Sequence, residues 1–295
     1  MHVLDGWKAV VTALSREDQR TQGWFFVQKP AYLAFVLLTY LFVCMLWGPR
    51  FMRDRKPYSL QGTIMTYNFL QVAINAYFVY NLGYYAFWSA GYSPICQGLT
   101  YESDANSMTI LRGMYYYICL RVLDLLDTVF FILRKKFLHI STLHVLHHTM
   151  VLVNGWLFLK IGADGQSVLR ICVNSFVHVL LYGYYFVAAM GPSARKYLWW
   201  KRYLTTIQIV QFVWMLAHVI TPVFVDCGYP IDIVVISFPQ VLMILYLFIS
   251  FYVQTYMKKA STLRVGDETV AMCLIQPDKV QDGVINRDVV HHKDK

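Results

Sequence analysis

Three histidines within five residues are the most chemically distinctive feature of this sequence. His144, His147 and His148 follow the pattern H-x-x-H-H, a spacing that brings all three imidazoles to one face of an α-helix. A single buried histidine is more often a satisfied core residue than a reactive one. Ionisable side chains are costly in an apolar setting, however, so a dense set of them inside an apolar stretch indicates a functional site.

A second charged group precedes the histidines. Arg121, Asp124 and Asp127 recur every third residue, which also suits one face of a helix. Together they carry one negative charge, and an unpaired buried charge is expensive. We therefore expect Arg121 to pair with Asp124, while Asp127 faces the histidine run and holds one imidazole oriented or protonated.

Two later apolar stretches carry further polar residues at helical spacing. The first set is Asn174, His178, Tyr182 and Tyr185, and the second is Gln208, Gln211 and His218. Asparagine and glutamine in such stretches also serve simply as hydrogen bonds between helices, and tyrosines near span ends serve as interfacial anchors. Each residue taken alone is therefore compatible with a structural role.

The composition indicates a polytopic membrane protein. Of 295 residues, 57% are hydrophobic and only 15% are charged, whereas soluble domains are about one quarter charged. The formal net charge is +9, but lysines and arginines bracket apolar segments and form no single face. They are interpreted as topology signals and as a basic rim for an anionic ligand, which argues against a nucleic-acid partner.

We predict an all-α fold with seven transmembrane helices. The predicted spans are residues 31–47, 62–88, 108–133, 140–161, 167–190, 203–225 and 233–256. An N-terminal segment (1–30) precedes this membrane domain (31–257), and a polar tail (258–295) is predicted to be disordered. Basic clusters follow the first, third, fifth and seventh spans, so the N-terminus is expected in the lumen and the C-terminus in the cytosol.

Two cysteines fall in loops that this topology puts on the same lumenal side. A disulfide between Cys96 and Cys227 would suit an oxidising compartment, although the sequence alone leaves the pairing open.

Two chemistries fit histidine-rich membrane helices. Imidazole binds iron and zinc, and H-x-x-H-H resembles one box of the membrane di-iron desaturases and hydroxylases, but such enzymes need several boxes and this chain has one. An imidazole can alternatively attack a thioester and hold an acyl group. A third, non-catalytic interpretation is a seven-span receptor, although receptors do not gather these residues at the cytosolic ends of their helices.

The motifs together resemble those of the ELO/ELOVL very-long-chain fatty acid elongases over about residues 20–258. Besides the histidine run, the resemblance rests on the asparagine–histidine–tyrosine motif at 174–185, on T-x-x-Q-x-x-Q-F at 205–212 and on two shorter runs at 48–57 and 196–201. The chain departs from the family pattern in three places. The family's K-x-x-E-x-x-D-T appears here as R-x-x-D-x-x-D-T, Leu181 replaces the usual methionine, and the usual proline after the histidine run is absent.

The resemblance implies a 3-oxoacyl-CoA synthase of the endoplasmic reticulum membrane, which condenses a long-chain acyl-CoA with malonyl-CoA. It also implies that spans two to seven form a barrel-like bundle around an acyl-chain tunnel, that His147 carries the acyl group beside His178, and that Cys96 pairs with Cys227. No metal and no cofactor besides the co-substrate malonyl-CoA is expected. The expected partners are membrane lipid, a second copy of the chain and the other enzymes of the elongation cycle.

These considerations define two sets of predicted site residues. The catalytic set is Arg121, Asp124, Asp127, His144, His147, His148 and His178. The substrate-binding set is Asn174, Tyr182, Tyr185, Gln208, Gln211, His218, Arg134, Lys135, Lys201 and Arg202. Bulky lumenal-half aromatics such as Tyr84 and Trp156 are expected to limit the length of the acyl chain.

Overall fold

A computed structural model describes residues 11–258 of the chain except residue 13. The first ten residues and nearly all of the predicted tail, 259–295, lie outside the described residues. The described part contains helices and no strand. Its longer helices are α1 (Pro30–Phe42), α2 (Gln61–Leu82), α3 (Ala105–Leu123), α4 (Leu126–Leu133), α5 (Thr142–Ile161), α6 (Gln166–Ala189), α7 (Lys201–Ile220) and α8 (Ile231–Tyr252).

The predicted spans agree closely with these helical segments. Helix α1 continues through a π turn (Val43–Trp47) into a short helix (Gly48–Met52), and α2 ends in a second π turn (Gly83–Ser89). Helices α3 and α4 together make up the third predicted span, with a turn at Asp124 and Leu125 between them. The order and approximate limits of the seven segments are therefore readable from the apolar pattern.

Within residues 11–258, four helical segments are long and apolar enough to cross a membrane. They are Pro30–Met52, Gln166–Ala189, Lys201–Val223 and Ile231–Met257. The segments formed by α2, by α3 with α4 and by α5 are less apolar because they carry the buried amides, the charged pair and the histidine run. An all-helical membrane protein is thus consistent with the described structure, and the less apolar segments are those that hold the candidate site.

Capping side chains fix where two of the site helices begin. The Asp104 carboxylate accepts hydrogen bonds from the backbone N–H groups of Asn106 (2.8 Å) and Ser107 (3.2 Å) at the start of α3. The Ser141 hydroxyl accepts one from the backbone N–H of His144 (3.2 Å) at the start of α5. Such caps satisfy backbone donors that the first turn leaves unpaired. The histidine run therefore begins within the first capped turn of α5.

The helices of the first compact unit, which extends to Phe248, pack as neighbouring pairs. Helix α2 lies along most of α6, α3 packs against α5, and α6 also contacts α7. One buried cluster contains Ile161, Val219 and Ile233, and another contains Phe212 and Ile244. The second unit, from Ile249 onward, is described only to residue 258, where the last helix ends in a π turn.

The C-terminal end of α5 is closed by other parts of the chain. Its last three carbonyl groups, those of Leu159, Lys160 and Ile161, each accept a hydrogen bond of 2.7 Å. The donors are, in that order, the Thr21 hydroxyl, the Asp18 backbone N–H and the Tyr101 hydroxyl. Carbonyls at a helix end have no partner within the helix, so the N-terminal segment is an integral part of the bundle.

A disulfide joins the connections that precede α3 and α8. It links Cys96 to Cys227, whose Cα atoms are 5.8 Å apart. Beside it, the Gln166 side chain accepts from the backbone N–H of Gln97 (2.9 Å) and donates to the carbonyl of His218 (2.8 Å). The disulfide and this glutamine together tie the start of α6 to the same end of the bundle.

Candidate active site

The three histidines of the run adjoin one another on α5, but their rings have different neighbours. The ring centroids of His144 and His148 are 4.5 Å apart, and those of His147 and His148 are 5.5 Å apart. His144 Nε2 shares a hydrogen bond of 2.8 Å with the hydroxyl of Thr128, which also bonds the Tyr40 hydroxyl at 3.1 Å. The bundle contains a cavity, and of these three histidines only His147 lines it. The run thus presents one imidazole to the cavity, and the other two rings pack beside it outside the cavity wall.

The expected ion pair between Arg121 and Asp124 is present and fully buried. The Arg121 guanidinium lies 2.8 Å from the Asp124 carboxylate, and the two side chains are 3% and 2% exposed. Gln71 donates to the other carboxylate oxygen at 2.8 Å, and the Asn75 side-chain carbonyl accepts from Arg121 at 2.8 Å. Arg121 also reaches the ring of His178, with 2.8 Å to Nδ1.

The Arg121 guanidinium holds the His178 ring in position. The same Arg121 nitrogen lies 2.8 Å from Nδ1 and 3.1 Å from Nε2 of His178. Because arginine is a donor only, a neutral His178 accepts from it through its unprotonated ring nitrogen. The buried ion pair therefore fixes where this imidazole lies.

Asp127 differs from expectation. Its carboxylate accepts a hydrogen bond from the buried Tyr182 hydroxyl at 2.9 Å, and the residue that contacts the histidine run is its neighbour Thr128. The physical reason is that Asp127 lies with Asp124 on the side that faces Tyr182 of α6, so its carboxylate joins the buried network and not the histidine run.

The cavity has a volume of about 180 Å³ and is walled by residues of α3, α5, α6, α7 and α8. Its described wall includes no residue of α2, which contributes instead to the buried network around Arg121. Near His147 the wall includes Asn174, whose side-chain carbonyl accepts from the Tyr117 hydroxyl at 2.6 Å. Most of the remaining wall is apolar, as an acyl chain requires. The polar residues of the wall are His147, Asn154, Ser167, Arg170, Asn174, Ser237 and Gln240.

The cavity extends well beyond the histidine. From His147 to Leu159 its wall follows α5 for about 18 Å at 1.5 Å per residue. Its far part is lined by Phe158, Ala163, Ser167 and Arg170. The predicted length-limiting aromatics are placed differently: Tyr84 is 44% exposed, and neither Tyr84 nor Trp156 belongs to the wall. The far end is formed instead where α6 begins, near the closed end of α5.

Several predicted substrate-binding residues lie away from the cavity. Gln211 is buried and contacts the Met215 sulfur at 3.7 Å, while Gln208 is half-buried on the same helix. His218 stacks on Trp214 with ring centroids 4.9 Å apart, near the far end of the bundle. Helical periodicity placed these residues on one face but did not fix their distance from the histidine run.

The predicted basic rim lies at the helix ends. Arg134 is exposed at the end of α4, and Lys135 donates to the Arg53 carbonyl at 3.0 Å. Lys201 and Arg202 are exposed at the start of α7. Tyr185, also assigned to substrate binding, is 39% exposed and packs edge-on against Tyr182.

Sequence reasoning missed four polar residues of the site: Gln71, Asn75, Tyr117 and Arg170. A signal for the first two exists, because Asn68, Gln71 and Asn75 fall on one face of an apolar helix and are all buried. No group of three or more histidine, cysteine or acidic side chains within the described residues has the geometry of a metal site.

Comparison with known proteins identifies related sequences over most of the chain. The family model described as ELO, the GNS1/SUR4 family, matches residues 25–263. Very long chain fatty acid elongase 4 of Macaca mulatta is 38% identical over 240 residues, which cover 81% of this chain and 76% of that protein. Very long chain fatty acid elongase 2 of Mus musculus is 35% identical over 243 residues, covering 82% of each chain.

Proposed function

The chain belongs to the ELO (GNS1/SUR4) family, and we propose that it is a 3-oxoacyl-CoA synthase of fatty acid elongation. It joins a long-chain acyl-CoA to malonyl-CoA, releases CO2 and CoA, and yields a 3-oxoacyl-CoA two carbons longer. The elongase names of its relatives support this reaction class. The observation that carries the proposal is the position of His147, a nucleophile at one end of a long, mostly apolar cavity.

The first half-reaction transfers the acyl group to His147. A ring nitrogen attacks the thioester carbonyl, the carbon–sulfur bond breaks and an acyl-imidazole forms. The proton lost by the imidazole goes to the departing CoA thiolate. The His144–Thr128 hydrogen bond and the packing of His148 hold the neighbouring rings in place, so that His147 is presented to the cavity.

The second half-reaction extends the chain. Malonyl-CoA loses CO2, and the resulting enolate attacks the acyl-imidazole carbon. The new carbon–carbon bond forms, the carbon–nitrogen bond to His147 breaks, and the released imidazole takes up one proton from water. In this proposal the protonated nitrogen of His178 donates a hydrogen bond to the oxygen on which negative charge develops. Arg121, paired with Asp124, holds the His178 ring in place, and the Tyr182–Asp127 pair borders them. No metal or cofactor takes part, and malonyl-CoA is a co-substrate.

The membrane arrangement forms part of the proposal. We assign seven spans, including the three less apolar segments, since their polar residues face one another in the bundle. The disulfide between Cys96 and Cys227 fits an oxidising lumen, which puts the histidine run towards the cytosol. Basic residues at the helix ends on that side would meet the phosphates of CoA, namely the exposed Arg134, Lys201 and Arg202 and the half-buried Lys135.

This orientation gives a lumenal N-terminus and a cytosolic C-terminus in the endoplasmic reticulum membrane. A second copy of the chain and the other enzymes of the elongation cycle are the proposed partners within that membrane.

Two measurements test the reaction. Purified protein should incorporate radiolabelled malonyl-CoA into a 3-oxoacyl product in the presence of a long-chain acyl-CoA. Without malonyl-CoA it should still release one CoA per acylated enzyme, and His147→Ala should abolish that release. His139→Ala, which changes an exposed histidine outside the cavity wall, is the matched control. CoA release by folded His147→Ala protein at the parent level would show that another residue is acylated.

A further inference from the structure

The end of the cavity remote from His147 contains a buried arginine. Arg170 lines the cavity on α6, one helical turn before Asn174, and is only 9% exposed. A purely hydrocarbon ligand offers nothing to a guanidinium, which carries a fixed positive charge and five N–H donors. Charged side chains inside membrane bundles mark binding or transport functions more often than packing.

Few groups of the protein satisfy this guanidinium. Arg170 donates to the Tyr229 hydroxyl at 3.5 Å, the long limit of a hydrogen bond, and lies 5.9 Å from the centre of the Phe158 ring. Among the described residues no carboxylate lies within ion-pair distance of it. Apart from the bond to Tyr229, the N–H donors of Arg170 have no hydrogen-bond partner among the described residues.

The acidic residues of this end already have cationic partners. Asp164 lies 3.0 Å from Arg20 and accepts from Thr100 at 2.9 Å. Asp232 lies 2.9 Å from Arg16. Asp232 is thus paired with Arg16, and Asp164 shares Arg20 with Asp18, which lies 2.6 Å from the same arginine.

We propose that Arg170 makes the far end of the cavity a binding subsite for an oxygen acceptor at the ω end of the acyl chain, a terminal carboxylate above all. The proposal rests on the proposed function and names a substrate class for it. A carboxylate that reaches Arg170 exchanges its hydration for charge-assisted hydrogen bonds, and the cost of burying the arginine has already been met in folding. A methyl end that reaches the same point forms no hydrogen bond with Arg170. It also excludes water from the guanidinium, which leaves buried N–H donors without a partner.

The test compares two primer series of matched length. One contains CoA thioesters of saturated monocarboxylic acids, and the other contains CoA monothioesters of α,ω-dicarboxylic acids. The variants are Arg170→Met, which keeps an unbranched side chain, and Arg170→Lys, which keeps the charge. Arg112→Met, which changes an exposed arginine of α3, is the control.

For the parent protein we expect one length at which the dicarboxylic primer is elongated with a higher kcat/KM than its monocarboxylic counterpart. Arg170→Met should lower kcat/KM for that primer at least about tenfold, and it should raise the value for the longest methyl-ended primers. Arg170→Lys should retain part of the preference, and Arg112→Met should change neither series.

Two results would overturn the proposal. One is an equal loss for both series in Arg170→Met, because that pattern describes a structural arginine. The other is a parent protein that elongates monocarboxylic primers but no dicarboxylic primer of any length. If the parent elongates no primer, the proposed function fails. The subsite is then tested by binding. We compare how much the two kinds of CoA thioester raise the Tm of the parent and of Arg170→Met, and the subsite requires a larger rise with the dicarboxylic thioester in the parent alone.

Discussion

The buried ion pair between Arg121 and Asp124 yields a sharp stability prediction. Asp124→Asn keeps the size of the side chain and removes its charge, so Arg121 becomes a buried cation without a counter-charge. Breaking a buried pair by removing one partner costs about 3–5 kcal/mol. The lower end applies here, because Arg121 keeps its hydrogen bonds to Asn75 and His178. A loss of about 3 kcal/mol corresponds to a fall of roughly 6–12 °C in Tm for a protein of this size class.

The assay is thermal unfolding of purified protein in detergent, followed by tryptophan fluorescence. The double variant Arg121→Gln with Asp124→Asn removes both charges and leaves two amides that can bond each other. Its Tm should lie above that of Asp124→Asn alone, since the two sites are directly coupled. Asp54→Asn, a change at an exposed aspartate, should leave Tm unchanged.

Two results would contradict this stability prediction. If Asp124→Asn unfolds at the same temperature as Asp54→Asn, the charge of Asp124 does not stabilise the fold. If the double variant is less stable than the parent by the sum of the losses of Arg121→Gln and Asp124→Asn, the two residues act independently and no ion pair couples them.

Three further predictions concern other parts of the site. Thr128→Val removes the hydrogen bond of the His144 ring and should cost about 1–3 kcal/mol of stability, measured as a lower Tm. Acylation should also be slower. An unchanged rate of CoA release would show that this hydrogen bond does not contribute to the reaction. Cys96→Ser removes the disulfide to Cys227, which lies 131 residues away along the chain. The loss should lower stability by at most about 5 kcal/mol. A reductant should lower the Tm of the parent and leave that of the variant unchanged. Gly155→Val puts a branched side chain where the Ile118 side chain now lies, and both residues line the cavity. The displaced Ile118 should narrow the cavity and shift products towards shorter chains, measured by mass spectrometry. An unchanged product profile from folded protein would exclude this stretch of wall from the acyl path.

The sequence predicts local features of this protein well. Apolar runs long enough to cross a membrane give the helix limits, and the three-residue spacing of Arg121 and Asp124 gives their ion pair. The adjacency of the histidines follows from the same helical geometry. Each of these features depends on residues that are near neighbours along one helix.

Features that depend on packing between helices are missed. Gln71 and Asn75 of α2 bind the Arg121–Asp124 pair from more than 45 residues away along the chain. The residue pattern of α2 does not indicate which residues these two amides contact. The predicted partner of Asp127 is wrong because its carboxylate meets Tyr182 of α6, 55 residues further along the chain. His218 shares a face with Gln211 but stands seven residues further along α7, about 10 Å away at 1.5 Å per residue.

The closed end of α5 has a consequence for how the chain is assembled during synthesis. Thr21 and Leu159 are 138 residues apart, and at 5–20 residues per second a ribosome needs roughly 7–28 s to pass from one to the other. Throughout that interval the N-terminal segment has emerged while its binding partner does not yet exist. The helix that carries the histidines can be closed at its far end only after it has been fully inserted, so the first segment to be made is among the last to dock.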